Sequence, residues 1–199
     1  MKHRHLLAVT SLAILVLLSA SGCLNLKPKA DPVRYFVLHP ITESVEVERV
    51  AADGLRLGIA PVTVPSYLTK PWIVVRTSET ELRYADYYKW AEYMDKGVQR
   101  VLAEDLAYLL GTDQIQMNSW RRENVDVELK VMVQRFDVDD QGQVVLEVLW
   151  QLNGRTASSG HHAVRLSGPT PGTDPSGAIE TMSQALNGLS KTLATKIKP

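Results

Sequence analysis

The chain has 199 residues, of which 45% are hydrophobic, and 22 basic side chains balance 22 acidic ones. This length and composition suit one compact domain with an additional segment. The formal net charge of zero provides no basic field to attract phosphates, so nucleic acid is excluded as an expected partner.

The N-terminus predicts an export signal. A basic head, MKHRH, precedes an apolar run from Leu6 to Leu18 that is too short to span a bilayer as a stable helix. The run leads into ASGC, which ends at Cys23, the single cysteine of the chain. This string resembles the lipobox of bacterial lipoproteins, although Ala20 stands where leucine is usual. Ordinary signal cleavage after Ser21 is the alternative, but a lone cysteine has no disulfide to form, which favours lipidation of Cys23.

These features predict three regions in the chain. Residues 1–22 are a signal peptide, residues 23–32 are the lipidated N-terminus and its tether, and residues 33–199 are a single domain. The tether LNLKPKADP has two prolines and no apolar periodicity, and its nine residues reach about 30 Å at most. The lipobox resemblance implies a diacylglyceryl anchor on Cys23, and Leu24 in place of aspartate after the cysteine implies the outer membrane.

The first half of the domain reads as short strands followed by a helix. YFVL and LRLGIAPV are predicted strands, and IVVRTSETELRY is predicted to form two strands folded about Ser78 to Thr80. From Tyr87 to Leu110 the spacing predicts a helix, with Asp86 as its N-cap and Gly111 as its stop.

The second half predicts a long hairpin and a C-terminal helix. Apolar residues alternate in VDVELKVMV and again from Val144 to Leu152, with the turn DDQG between them, and HHAVRL is predicted to return as a third strand. Apolar residues from Ile179 to Ile197 recur every three or four positions, which predicts a helix. The predicted fold is α/β: a mixed, largely antiparallel sheet of about six strands with two main helices packed on it.

No motif predicts an enzyme, a metal site or a cofactor. His39, His161 and His162 lack metal-ligand spacing, and the adjacent pair should face opposite sides of its strand. The acidic cluster Asp137 to Asp140 lacks the ligand order of a calcium loop and suits a hairpin turn. No nucleophile or phosphate-loop motif is present in the sequence, which leaves a cell-wall or lipid hydrolase as a distant third function.

One long stretch carries a family resemblance. LGIAPVTVPSYLTKPWIVVRTSETELRYADYYKWAEYMDKGVQRVLAEDL resembles the signature of the ABC-type transport auxiliary lipoproteins, the PqiC-like family, on Pro61 to Leu68, Ile73 to Arg76 and Trp90 to Glu92. Lys89, Thr69 and Lys70 depart from the common residues of that signature. The resemblance implies an outer-membrane lipoprotein, on the periplasmic face, that tethers or caps an MCE-protein and ABC-permease system for lipids.

The segment VPSYLTKPWIV predicts a docking element. Pro65 and Pro71 remove backbone donors, so the segment between them is expected to project as a stiff loop. We therefore expect a partner or subunit interface on aromatic and apolar side chains of this region and of the tyrosine-rich stretch after it: Tyr67, Leu68, Trp72, Tyr87 and Trp90, with further aromatic area from Tyr84, Tyr88 and Tyr93. The alternative is that Tyr67, Leu68 and Trp90 fill the end of the sheet.

Two classes of function remain open on the sequence. The favoured one is an interaction protein, expected to form a homo-oligomer because the MCE proteins implied by the resemblance form symmetric rings. The runner-up is a periplasmic lipid-binding carrier, which would require its own apolar pocket of about 300 Å³ or more.

Overall fold

The computed structural model describes residues 31–42, 54–154, 157–169 and 174–197. The chain divides into two units, Met1–Pro32 and Val33–Pro199, and every helix and strand below belongs to the second. The described residues form two α-helices, α1 (Met94–Leu110) and α2 (Ser176–Ile197). They also form eight strands: β1 (Arg34–Phe36), β2 (Leu57–Ile59), β3 (Trp72–Arg76), β4 (Leu82–Trp90), β5 (Ile115–Met117), β6 (Val127–Asp139), β7 (Gln143–Gly154) and β8 (Ser158–Ser167).

The longest strand, β6, organises one mixed sheet. On one edge it pairs with β7 in an antiparallel hairpin, and β8 continues the sheet from β7. Its other edge is shared by two short parallel strands, because β2 pairs with the start of β6 and β3 with its end. Strand β5 extends the sheet from β2, while β4 and β1 extend it from β3. The sheet therefore forks along one edge of β6.

Both helices lie on the same face of this sheet, which we call the inner face. Val127, Leu129, Val131 and Val133 of β6 are buried there, while the alternating Lys130 and Met132 are exposed on the opposite, outer face. Helix α2 packs on β6, β7 and β8, and α1 packs on α2 and β5. No helix in the described part of the chain is long and apolar enough to cross a bilayer.

The predicted fold class is confirmed. The hairpin pairs Val131 with Trp150 and turns at Asp139 to Gly142, where the glycine takes a φ of 82° that favours residues without a Cβ. The two antiparallel ladders of β7 are the longest, and the four parallel pairings are each three residues or fewer. Within the described residues the sheet has eight strands rather than about six, because short elements such as β5 have too few residues to show a period.

The predicted start of the first helix is wrong. Strand β4 continues to Trp90, α1 begins at Met94, and Asp86 lies inside the strand rather than at a helix N-cap. Pairing on both sides explains the difference, because β4 bonds to β1 and to β3 and the backbone has no need of helical bonds. The predicted stop is confirmed: Gly111 adopts φ 63° and its N–H donates to the Ala107 carbonyl.

A buried carboxylate fastens α1 to its neighbours. Asp105 has no exposed surface, and its Oδ1 accepts the Ile41 N–H at 2.7 Å. When the Asn187 side chain of α2 is oriented to satisfy its neighbours, its amide nitrogen donates to Asp105 Oδ2 at 3.1 Å. Burial raises the pKa of Asp105, and a hydrogen bond from Ser190 opposes that rise. The apolar spacing of the helix gave no signal for this residue.

Candidate docking surface

The proline-bracketed stretch is an ordered turn rather than a projecting loop. Residues Ser66–Thr69 form a short 3-10 helix, in which the Leu68 N–H donates to the Pro65 carbonyl at 2.9 Å. Thr69 Oγ1 donates to the Ser66 carbonyl at 2.8 Å and holds the end of the turn. The segment is therefore held by hydrogen bonds, in keeping with the predicted stiffness. It packs against the domain and does not project as a loop, because Leu68 is buried.

This turn spans the gap in the forked edge of β6. Thr63 bonds to β6 through its N–H to the Val131 carbonyl at 3.1 Å and through its carbonyl to the Val133 N–H at 2.8 Å. The chain then leaves β6 and returns to it at β3. Within the gap, the Phe136 N–H donates to the Tyr67 hydroxyl at 3.4 Å. A side-chain hydroxyl thus replaces the strand partner that this backbone group lacks.

Tyr67 also belongs to a buried charged group, which we call the Asp137 cluster: Tyr67, Arg76, Arg135 and Asp137. The Asp137 carboxylate has no exposed surface and accepts four hydrogen bonds from three residues. The Tyr67 hydroxyl donates at 3.1 Å, Arg76 donates from Nη2 at 2.8 Å and from Nε at 3.3 Å, and Arg135 donates from Nε at 2.9 Å. Burial, and then the nearby Asp137 charge, raise the pKa of Tyr67 to about 12. Tyr67 therefore stays neutral and keeps its hydroxyl proton for donation.

Two of the five predicted interface residues are core residues in this structure. Leu68 is 3% exposed in the turn that packs on α1, and Trp90 is 6% exposed on the inner face. Neither side chain can contact a partner while the domain keeps this fold. Both fit the alternative interpretation, in which they fill the end of the sheet. Tyr67 is partly buried, and its hydroxyl is engaged in the Asp137 cluster.

The other two predicted residues lie on the outer face, within what we call the aromatic surface: Tyr35, Trp72, Tyr84, Tyr87 and Lys89. Tyr35, Lys89 and Trp72 are direct register partners across β1, β4 and β3. The Lys89 ammonium lies 5.6 Å from the centroid of the Trp72 ring, and the Tyr84 ring meets that ring edge-on at 6.1 Å. Tyr87 is 53% exposed and Tyr35 is 61% exposed.

Strand alternation together with a register shift divides the tyrosine-rich stretch between two faces. The shift lies between Trp72 and Val74 in the pairing of β3 with β4, and it brings Tyr84 to the same face as Lys89. Tyr88 and Trp90 point to the inner face, where the Tyr88 ring stacks on Phe36 with centroids 6.2 Å apart. Arg34 lies over both rings, at 5.1 Å from Phe36 and 5.6 Å from Tyr88. Tyr93 precedes α1 and is 64% exposed. The predicted helix began at Tyr87, within β4, and this concealed both the division and the contribution of Tyr35 from β1.

The histidine pair of β8 and the acidic residues of the hairpin turn have positions that strand and turn geometry explain. His161 and His162 lie on opposite faces of the outermost strand β8 as predicted, and burial lowers the pKa of His162. The Asp139 carboxylate accepts the N–H groups of Gln141 and Gln143 in the hairpin turn. Among the residues the structure describes, no group of three His, Cys, Asp or Glu could hold a metal ion. Cys23, the signal peptide and most of the tether lie outside the described residues.

Comparison with known proteins settles the family. The family model of the ABC-type transport auxiliary lipoprotein component matches residues 36–194. The chain belongs to this family. The resemblance carried by the proline-bracketed stretch is therefore confirmed, and the protein is a transport auxiliary lipoprotein by family. No curated protein matches the chain.

Solved structures share the fold of this auxiliary lipoprotein. A crystal structure of an uncharacterized protein is 21% identical with a TM-score of 0.67, and the match covers 82% of this chain and 97% of that one. Protein XCC0632 from Xanthomonas campestris is 17% identical with a TM-score of 0.68, and the match covers 83% of this chain and 96% of that one. At these identities the similarity concerns the fold alone.

Proposed function

We propose that this auxiliary lipoprotein is anchored through Cys23 in the outer membrane, on its periplasmic face, and tethers or caps an MCE-protein and ABC-permease system that moves lipids between the two membranes. Membership of the ABC-type transport auxiliary lipoprotein family supports the part of this proposal that concerns an ABC transporter. The observation that carries the docking role is the aromatic surface, which exposes tyrosine rings on a face that neither helix covers. Rigid aromatic side chains of this kind are enriched at protein interfaces.

Strand pairing makes the aromatic surface suitable for docking. Its residues stand on three paired strands, and Trp72 is held between Tyr84 and Lys89. Binding would therefore order few additional backbone groups, which lowers the entropic cost of association. Tyr87 and Tyr35 project furthest and are the proposed anchors, with Trp72 at the centre.

The anchor is tested by changing Cys23. Cys23→Ala should release the protein from membranes or leave an uncleaved precursor, because the acylated sulfur would be lost. Ala20→Leu, which restores the usual lipobox leucine, is the matched control and should fractionate with membranes. Normal processing and membrane fractionation of Cys23→Ala would contradict lipidation at this residue.

The partner is tested by photocrosslinking the full chain in its own envelope. A photoreactive benzoylphenylalanine in place of Tyr87 should capture the MCE protein on irradiation, whereas the same group at Met117 of β5, which is 43% exposed, should not. Capture of the same set of proteins from both positions would count against a specific surface.

We also propose that the protein assembles as a homo-oligomer, because a protein that caps a symmetric ring either binds once per subunit or forms a ring itself. The edge strands β1, β5 and β8 each pair on one side in the described part of the sheet. Sedimentation of the mature lipoprotein, with and without the MCE protein, measures the assembly. Only monomer at high concentration in both samples would contradict it.

The carrier with an enclosed pocket is less well supported. The inner face of the hairpin is occupied by side chains, with Leu129, Leu146 and Leu152 at 1% exposure or less beneath α2. A packed interior of this density has no room for a lipid unless the helices move.

A further inference from the structure

A groove crosses the outer face away from the aromatic surface. It has a volume of about 800 Å³ and runs over β8, β7, β6 and the segment that follows β2. Its floor carries Met132 and Leu149, which are direct register partners and remain 49% and 41% exposed. Thr63 stands opposite Met132 at one end, and Ser159 closes the other end. Three strand spacings make the groove about 14 Å long.

The polar groups of the groove are arranged at its side. Lys130 precedes Met132 on the same face, and among the described residues it is the one charged side chain that lines the groove. Its side chain is 53% exposed, with Nζ 3.6 Å from the Glu128 carboxylate, a loose ion pair in contact with water. The other polar side chains of the lining, Thr63, Gln151 and Ser159, are uncharged.

This combination of shape and charge selects one kind of occupant. A narrow apolar floor matches a single flexible hydrocarbon chain better than a protein surface, which would bury a wider area. The Lys130 ammonium faces the groove and is held only by a loose ion pair with Glu128, which does not itself line the groove, so the ammonium can exchange this partner for a negative head group. Methionine adapts its shape to irregular apolar ligands because its side chain is unbranched.

We infer that the groove floored by Met132 and Leu149 binds one acyl chain of an anionic phospholipid, whose phosphate pairs with Lys130. The inference rests on the proposed function, because it identifies the molecules that the transport system moves as ligands of this subunit. The groove lies on β6 to β8 and the aromatic surface on β1, β3 and β4, so a lipid and a protein partner can be bound together.

Photocrosslinking in the cell envelope tests the inference on the full chain. The variant with benzoylphenylalanine in place of Leu149 is irradiated and digested with trypsin, and the mass of the peptide of residues 136–155 is measured by mass spectrometry. This peptide does not contain the lipidated Cys23, so the lipid anchor does not contribute to its mass. We expect the added mass of one phospholipid on this peptide. The matched position is Met117, which is 43% exposed on β5 outside the groove and should stay unlabelled.

The head-group contact is tested by two substitutions of Lys130 in the same labelled protein. Lys130→Gln should lower the ratio of anionic to zwitterionic phospholipid adducts about two- to fivefold, the range of an exposed ion pair, and Lys130→Arg should preserve the ratio.

A protein adduct, no adduct, or equal lipid labelling at Met117 would overturn the groove as a lipid site. An unchanged ratio in Lys130→Gln would overturn the assignment to anionic lipid. If the group at Leu149 captures phospholipid while the group at Tyr87 captures no MCE protein, the lipid site stands and the proposed docking role fails.

Discussion

The two faces of the sheet differ in what covers them. The inner face lies under α1 and α2 and is lined by apolar side chains such as Leu129 and Trp150. The outer face bears the aromatic surface, the Asp137 cluster and the groove. The proline-bracketed turn serves both faces, since it places Leu68 in the core and the Tyr67 hydroxyl in the Asp137 cluster. The apolar core thus lies on the inner face, whereas the outer face carries both the structural Asp137 cluster and the exposed surfaces that we propose for recognition.

The largest expected effect is on the inner face, at Leu68. Leu68→Asp should lower the free energy of unfolding by about 4 kcal/mol or more, because an unpaired charge would be buried against α1. Urea denaturation of the purified protein measures this loss. Leu68→Met, which conserves volume, should cost less than about 1.5 kcal/mol. A stable Leu68→Asp variant that no longer assembles would place this residue at an interface instead.

The Asp137 cluster should show the next largest loss. Asp137→Asn removes the one carboxylate between Arg76 and Arg135, whose side chains are 17% and 20% exposed, and leaves two facing cations. We expect a loss of about 2–4 kcal/mol, somewhat below that of a fully buried pair, because both guanidinium groups reach water. Asp140→Asn, at the exposed hairpin turn, should change the urea midpoint little. Equal losses in the two variants would contradict a structural role for the cluster.

A smaller loss of stability is expected from Tyr67→Phe, because the Tyr67 hydroxyl bonds to the β6 backbone in the gap between β2 and β3. Tyr67→Phe keeps the ring but removes the hydroxyl that accepts the Phe136 N–H and donates to Asp137. The expected loss is about 1–2 kcal/mol, the cost of leaving a buried polar group unpaired. Tyr84→Phe is the matched control, because its hydroxyl makes only a long 3.5 Å bond to the Tyr67 carbonyl. Wild-type stability of Tyr67→Phe would mean that water replaces the hydroxyl.

Local periodicity accounts for the parts that could be predicted. Alternation in β6 and β7 and the three-to-four spacing of α2 depend on neighbouring residues, so the hairpin and the C-terminal helix are predictable. The burial of Leu68 could not be predicted in this way, because it depends on packing against α1, about thirty residues away in the sequence. Trp90 and Met94 fit a helical spacing equally well when one ends a strand and the other begins a helix. The burial of Asp105 and Asp137 was not predictable either, because Ile41, Tyr67 and Arg76, which bond to them, lie more than sixty residues away. The acidic run from Asp137 to Asp140 suggested a turn, but Asp137 lies inside β6.

A further effect on stability concerns Asp105 and depends on pH. Its pKa is raised in the folded state, so the folded protein binds this proton more tightly than the unfolded chain does. The resulting contribution to stability is lost as pH rises from the unfolded value of about 3.9 through the raised folded value. Asp105→Asn lacks this titration and keeps an acceptor for the Ile41 N–H. Its stability relative to wild type should therefore be greater at pH 7 than at pH 3.5, and an equal difference at both values would contradict the assignment.

The separation of recognition from stability is tested most directly at Tyr87, by measuring stability and partner binding in one variant. Tyr87→Ser should change the free energy of unfolding by less than about 0.5 kcal/mol, because the side chain is 53% exposed on the outer face. Co-purification of the MCE protein from the envelope should fall about thirtyfold, as for the loss of an interface residue worth about 2 kcal/mol. Met117→Ser, at similar exposure on β5, should leave both quantities unchanged. Full co-purification by Tyr87→Ser, or a large loss of stability, would contradict the account.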